Sequence, residues 1–349
     1  MSLSLRHSFL DGAAASRSAR RALPALNSRH AILAGRGSFF EMSNAQIQNP
    51  TAVHRFAILT SGATVLLLMA GALVTSNDAA DSVPDWPLAY GKIIPPLVGG
   101  IRYEFAHRVV AAAVAVLTLI LAIWLARAEN RRMVRRLGWT ALALVVVQAL
   151  LGALRVRFGH PPVVATIHAT VAQIFFITTI ALAFYSSPFG RREIPPLEDS
   201  ASPAMRPLAL WTTLAIFVQL ILGAGFRHGA FGILPHLLGA ALVLFFVAWT
   251  GRVAKERFGK VPEIHRAMVL LHATFGTQIL LGIAAYWAVA KAIQEVQPTV
   301  PYVILTVAHV LVGALVLASS VLLTLCCFRL IRPQAAVSVT SRAAGTAIR

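Results

Sequence analysis

The sequence has few charged side chains for its length. Asp, Glu, Lys and Arg make up 13% of the 349 residues, whereas 57% of the residues are hydrophobic and the mean hydropathy is +0.72. A soluble globular domain of this size could not cover its surface with so few polar groups, so that class is excluded. A polytopic helical membrane protein fits, because its lipid-facing surface is apolar.

Cysteine is almost absent. The only two cysteines, Cys326 and Cys327, are adjacent at the end of the last apolar segment. Neighbouring cysteines pair poorly for geometric reasons, so we expect a structural or lipid-facing role for them. No Cys-x-x-Cys-His motif occurs, and nothing therefore supports covalent attachment of a c-type haem.

Acidic residues are also scarce. Only 13 Asp and Glu oppose 31 Lys and Arg, which gives a formal net charge of +18. In a soluble protein such a balance would indicate binding to nucleic acid. In a membrane protein it is better explained by basic loops on one side of the bilayer, so we expect the lipid bilayer as a partner and no nucleic acid.

Eight apolar segments of about 20 residues follow a basic leader, and each is long enough to cross about 30 Å of hydrocarbon. They are predicted to be helices at 56–75, 105–126, 137–155, 163–185, 207–226, 232–251, 267–290 and 302–328. The predicted fold class is an all-α polytopic membrane protein, with eight transmembrane helices arranged as two pseudo-symmetric four-helix bundles.

Charge alternates between the connections of these segments. Both termini and the even-numbered connections hold 24 Lys and Arg, against seven on the other side. The positive-inside rule then places both termini in the cytoplasm and the long connection 76–104 outside. We expect a bacterial cell membrane, with Met42 favoured as the start. The mitochondrial inner membrane is the alternative if residues 1–41 are a transit peptide.

An internal repeat marks the odd-numbered segments. Gln148-Ala-Leu-Leu-Gly152 matches Gln219-Leu-Ile-Leu-Gly223 and Gln278-Ile-Leu-Leu-Gly282, and Leu67-Leu-Met-Ala-Gly71 is in register. The unit is a helical hairpin repeated four times, in two parallel halves. We interpret the glycines as packing residues. The predicted organisation is a disordered leader at 1–54, an N-terminal half at 55–186, a linker at 187–206, a C-terminal half at 207–328 and a tail at 329–349.

One histidine lies near the outer end of each even-numbered segment: His107, His168, His236 and His309. Four independent core histidines are one interpretation. Ionisable residues inside a membrane are usually functional, however, and paired histidines in a helical bundle are typical axial ligands of haem iron. The repeat pairs His107 with His168 and His236 with His309, which favours two haems over one zinc ion.

Charged residues near these histidines are candidates for a supporting role. Glu104 precedes His107 by three residues and lies on the same side of the helix. It could orient the imidazole, move a proton or stabilise a cation, or simply pair with Arg102 or Arg108. Arginines suit the propionates of haem through bidentate hydrogen bonds. The candidates near the outer ends of the segments are Arg108, Arg155, Arg157 and Arg227.

Several short motifs occur in a fixed order along the segments. They are Gly71-Ala-Leu-Val-Thr-Ser76, Pro84-Asp-Trp-Pro87, Glu104-Phe-Ala-His-Arg108, Gly152-Ala-Leu-Arg155, Ile167-His168-Ala169, Gly223-Ala-Gly-Phe-Arg-His228 and Ala308-His309. In this order the chain resembles the heme A synthase family over about residues 55–328. Many bacterial members carry a cysteine pair in the first outer loop, where this chain has Ser82-Val83-Pro84.

The resemblance implies an enzyme that oxidises a methyl group of haem O to the formyl group of haem A, for terminal oxidase assembly. It implies that His236 and His309 hold a resident haem b. It also implies that His107 and His168 hold the substrate haem O, with Glu104 important for catalysis. The expected partners are the membrane enzyme that forms haem O and an electron acceptor that the sequence does not identify. Homo-oligomer formation is left open.

Two other functions use the same histidines. A di-haem b-type cytochrome that only transfers electrons would need them as ligands but would not need Glu104. A proton-coupled transporter would use them as a proton relay and would bind no haem.

Overall fold

The computed structural model describes residues 50–159, 161–292 and 294–333. Eight helices in these ranges are long and apolar enough to cross a membrane, so the chain is a multi-pass membrane protein and the all-α fold class is confirmed. They are α1 Pro50–Ser76, α2 Ile101–Ala128, α3 Arg132–Arg157, α4 Pro162–Ser186, α5 Met205–Arg227, α6 Leu234–Phe258, α7 Pro262–Ala292 and α8 Val300–Leu330.

Three short elements accompany the long helices in the described residues. A four-residue helix, Pro188–Arg191, follows α4, and two strands, β1 Leu197–Asp199 and β2 Ile331–Pro333, pair in parallel. Most of the predicted leader and tail, residues 1–49 and 334–349, lie outside the described residues. The orientation of the helices relative to the two membrane faces stays a prediction of the charge pattern.

The helices are longer than the apolar segments that predict them. Every helix ends later than expected, and all but α6 begin earlier. Hydropathy marks only the part of a helix inside hydrocarbon, whereas backbone hydrogen bonding continues into the interface. The exception, α6, begins at Leu234 rather than at residue 232 because Pro235 occupies its first turn, where a missing N–H costs nothing.

Helix contacts follow the same cyclic order in both halves of the chain. α1, α2, α3 and α4 contact one another in sequence and α4 returns to α1; α5, α6, α7 and α8 do the same. The contact of α6 with α7 is the smallest of these. The halves meet where α8 packs against α1 and α4 and where α4 packs against α5. α8 is consequently the most buried of the eight helices.

The two cysteines lie within this packed region. Cys326 and Cys327 are both buried near the end of α8 and neither forms a disulfide. They belong to the core cluster formed by α5, α6, α7 and α8. Both side chains therefore pack within the protein rather than on its surface.

Candidate haem-binding sites

Each of the four candidate histidines lies against the glycine that ends the repeat motif of the preceding helix. A Cβ atom added at these glycines would approach the Cε1 atom of the facing imidazole to 3.2 Å for Gly71 and His107, 3.8 Å for Gly152 and His168, 2.9 Å for Gly223 and His236, and 3.1 Å for Gly282 and His309. Three of the four distances are shorter than ordinary van der Waals contact. Glycine is what lets an imidazole fit between the paired helices.

The glutamines of the repeat contact the same histidines. Gln148 Nε2 donates to the carbonyl oxygen of His168 at 2.9 Å. Gln219 Nε2 donates to the carbonyl oxygen of His236 at 2.9 Å and lies 3.0 Å from its Nδ1 atom. Gln278 Nε2 lies 3.4 Å from Nε2 of His309. The glutamines of the repeat therefore form contacts between neighbouring helices, and these contacts are to the candidate histidines.

The C-terminal pair has a spacing suited to one metal ion. The ring centroids of His236 and His309 are 6.3 Å apart and their planes are inclined at 84°. A bond from a metal to an imidazole nitrogen is about 2 Å, so two imidazoles on opposite sides of one iron have centroids about 6 Å apart. The residues present therefore fit a bis-histidine haem.

Unsatisfied imidazole nitrogens support the same fit. The Nδ1 atoms of His107, His168 and His309 are buried and have no hydrogen-bond partner in the described residues. A buried polar atom without a partner is costly, and a missing ligand is one of its ordinary explanations. Within the described ranges no group of three or more His, Cys, Asp or Glu is placed to hold a metal ion. Such a group would be expected for a protein-ligated zinc site.

Arg155 is the arginine that remains available beside the N-terminal pair. Its Nε atom is buried without a hydrogen-bond partner among the described residues. It lies within electrostatic range of Glu104, Asp81 and both His107 and His168. A half-buried arginine with an unsatisfied buried donor is suited to a carboxylate ligand.

Glu104 and Arg108 hold the outer loop, residues 77–100, against α2. Glu104 is 6% exposed. Its Oε1 accepts a hydrogen bond from Arg108 Nη2 at 2.7 Å, and its Oε2 accepts one from the Val83 N–H at 2.9 Å. Arg108 Nη1 donates to the carbonyl oxygens of Asp85 and Leu88 at 2.8 and 2.9 Å. The pairing with Arg108 is thus realised, and it anchors the loop one helical turn from His107.

A tight turn completes this loop. The Asp85 carboxylate accepts hydrogen bonds from the N–H groups of Gly91 and Tyr90. These bonds, that of Gly91 first, hold the pKa of Asp85 below its usual range. Gly91 has a φ of +68°, a conformation that a side chain would strain. The Tyr90 hydroxyl donates to the carbonyl oxygen of Ser82 and closes the turn.

Arg227 connects the two halves. Its Nη2 donates to Ser76 Oγ at 2.7 Å and to the Ala72 carbonyl oxygen at 3.1 Å, both on α1. The next residue, His228, lies in the same region, and burial, followed by the charges of Arg155 and Arg227, lowers its pKa to about 4. His228 is therefore neutral at physiological pH.

The remaining histidines lie elsewhere. His54 Nδ1 is 3.0 Å from the carbonyl oxygen of Ala183, and His272 Nδ1 is 2.8 Å from that of Met268. His160 lies outside the described residues. His272 also packs against a glycine, Gly251, so this contact alone does not distinguish the candidate histidines from it. The candidates share instead a position near the beginning of an even-numbered helix, whereas His272 lies on α7.

The chain is similar to one protein-family model and to several curated proteins. A family model described as cytochrome oxidase assembly protein matches residues 31–180 and 103–234. A heme A synthase of Alkalihalophilus pseudofirmus is 30% identical over 140 residues, which are 39% of this chain and 47% of that protein. A heme A synthase of Shouchella clausii is 27% identical over 242 residues, 67% of this chain and 75% of the relative. One of Symbiobacterium thermophilum is 28% identical over 263 residues, 66% of this chain and 84% of the relative.

The length covered differs between these relatives. The chain spans about half the length of the Alkalihalophilus protein and three quarters or more of the other two.

We expect a methyl group at the glycines facing the C-terminal pair to weaken haem binding. Gly223→Ala and Gly282→Ala would bring a Cβ atom to 2.9 and 3.1 Å from the imidazoles, at a cost of about 1–3 kcal/mol. Gly276→Ala, also on α7, is the matched control because no atom lies within 4 Å of its added Cβ. Haem retained by the purified protein is measured as the pyridine haemochrome. Equal retention by all three variants would contradict the packing role.

Proposed function

The chain belongs to the heme A synthase family of cytochrome oxidase assembly proteins, and we propose that it oxidises a methyl group of haem O to the formyl group of haem A. The observation that carries this proposal is the division of four histidines into two pairs, of which only the N-terminal pair has Glu104 and an anchored loop beside it. Two sites with different surroundings are suited to one haem that remains bound as a cofactor and one that is the substrate.

The C-terminal pair would hold the resident haem b. When bound, this haem supplies one-electron redox chemistry. Gln219 Nε2 donates to the carbonyl oxygen of His236 and lies 3.0 Å from its Nδ1 atom, so the glutamine would fix the orientation of this ligand.

The N-terminal pair would hold haem O as substrate. His107 and His168 would bind the iron of the substrate, and Arg155, with its free Nε donor, would bind a propionate. We assign Arg155 this role ahead of Arg108 and Arg227, because their hydrogen bonds go to the outer loop and to α1. The substrate haem would then be held both at its iron and at a propionate, and this would fix the position of its methyl group.

The proposed reaction is two successive hydroxylations of the same methyl carbon. With water as the oxygen source, each replaces one C–H bond by a C–OH bond and releases two protons and two electrons, and the electrons pass to the expected electron acceptor. The first gives an alcohol and the second a gem-diol, which loses water to leave the aldehyde. Glu104 stands one turn from His107 and keeps its carboxylate out of bulk water through Arg108 and Val83. Its negative charge would stabilise positive charge that develops at the substrate during oxidation. The anchored loop would cover the pocket and exclude water.

The proposed function predicts a partner protein and an orientation in the membrane. The substrate reaches the site from the membrane, so the enzyme that forms haem O is the expected partner. The arginine-rich ends of the helices would face the cytoplasm, with the haem pockets near the opposite face.

Haem extraction from cells that produce this protein together with a haem O supplier tests the activity. We expect haem A in the extract, because both substrate and oxidising site are then present. Haem b bound to a folded protein without haem A would instead indicate an electron-transfer cytochrome. A folded protein without any haem would exclude both haem functions and favour a transporter.

We expect Glu104→Ala to abolish haem A formation while the haem held by His236 and His309 keeps its absorption spectrum. Glu104→Gln retains an acceptor for the Val83 N–H but loses the charge, so we expect it to be inactive as well. The measurement is haem A per protein beside the spectrum of the purified variant. Activity of Glu104→Gln would assign the residue to loop anchoring alone, and loss of the spectrum in either variant would contradict a separate role for this site.

A further inference from the structure

A basic crevice separates α2 and α3 at the arginine-rich end of the N-terminal half. The two helices touch at Gly138, where an added Cβ would lie 3.1 Å from Leu125 Cδ1 and 3.5 Å from the Ala122 Cα. Beyond this contact they leave a crevice lined by Ala126, Arg132, Arg135, Arg136 and Trp139. One of these residues belongs to α2 and four belong to α3, all near the end of α2 and the beginning of α3.

The positive charge in this crevice is not compensated within the described part of the chain. Glu129, the nearest acidic residue in sequence, already accepts hydrogen bonds or ion pairs from Arg131 and Arg191 at 2.9 and 3.0 Å. Those cations, with the hydrogen bonds of Arg131, hold the pKa of Glu129 below its usual range despite burial. Arg132 and Arg136 form no hydrogen bond or ion pair with any described residue and are exposed.

The spacing of these side chains matches the layers of a membrane interface. Arg132, Arg136 and Trp139 follow one another at four and three residues, so they lie on one face of α3. The arginines are nearer the helix end, and Trp139, which is 48% exposed, is one turn closer to the membrane centre. Cationic groups at headgroup depth with an aromatic ring below them are typical of a lipid-facing interface.

The C-terminal half has a comparable crevice between α6 and α7. It is lined by Gly251, Arg252, Lys255, Met268, Val269, His272 and Ala273. There the charge is partly compensated, since Arg252 Nε donates to Glu256 at 2.9 Å. The α2–α3 crevice has three arginines and no such acidic partner, so it is the stronger anion site of the two.

We propose that the α2–α3 crevice binds the phosphate headgroup of an anionic phospholipid. Arg132 and Arg136 bind the phosphate, Arg135 is held beside them by its hydrogen bond to the Glu129 carbonyl oxygen at 3.3 Å, and an acyl chain lies along Trp139 and Ala126. Arginine clusters between transmembrane helices at the basic side of a bundle are suited to such headgroups. The bound lipid would keep α2, which carries His107 and Glu104, in fixed contact with α3, which carries Arg155.

Titration of the delipidated full-length protein with phosphatidylglycerol, followed by native mass spectrometry, tests the proposal. We expect the double variant Arg132→Gln and Arg136→Gln to bind this lipid about 30-fold more weakly, because each surface arginine contributes about fivefold to binding of an anionic headgroup. The control is Lys260→Gln with Arg266→Gln, which removes two exposed charges from the same end outside both crevices. It should bind within about twofold of the unchanged protein.

Three outcomes would overturn the proposal. Equal weakening in the two double variants would show diffuse electrostatic attraction rather than a site. Equal binding of phosphatidylcholine would show an apolar groove without charge selectivity. Displacement of the lipid by millimolar inorganic phosphate, with equal stabilisation of the protein against heat, would show a site for free phosphate. Both double variants change only exposed side chains, so we expect them to remain folded, and their size-exclusion profiles are the check.

Discussion

The close packing of an imidazole against a glycine is the contact on which the candidate sites depend. In each hairpin the odd-numbered helix presents a glycine and the even-numbered helix a histidine, with as little as 2.9 Å between the ring and the place a Cβ would occupy. In lipid there is no hydrophobic force to bring helices together, so small residues that permit close van der Waals contact largely determine where they meet. The same contact constrains the depth in the bundle and the orientation of each imidazole. The rings of His236 and His309, which come from different hairpins, have their centroids 6.3 Å apart.

The two halves share this contact and differ in what surrounds it. The N-terminal pair has the Glu104–Arg108 ion pair, the anchored loop and Arg155, whereas the C-terminal pair has Gln219 and Gln278 beside its rings. The halves are also joined through a polar contact, because Arg227 at the end of α5 donates to Ser76 on α1.

Much of this arrangement can be predicted from the sequence. Hydropathy gives the eight helices. Helix direction and rise give His107, His168, His236 and His309 a common depth, and the internal repeat divides them into two pairs. The partners of arginine side chains cannot be predicted in this way. In the sequence, Arg108, Arg155 and Arg227 are equal candidates to bind propionates. The structure distinguishes them, because Arg108 donates to the outer loop and Arg227 donates to α1.

The proposed function assigns different roles to the two histidine pairs, and the haem content of paired variants separates these roles. Each protein is purified from cells without a haem O supplier, and its haem b is measured per polypeptide. The account predicts that His236→Ala with His309→Ala removes the resident haem, whereas His107→Ala with His168→Ala retains it. Loss of haem b from the second variant and its retention in the first would contradict the assignment of the two sites.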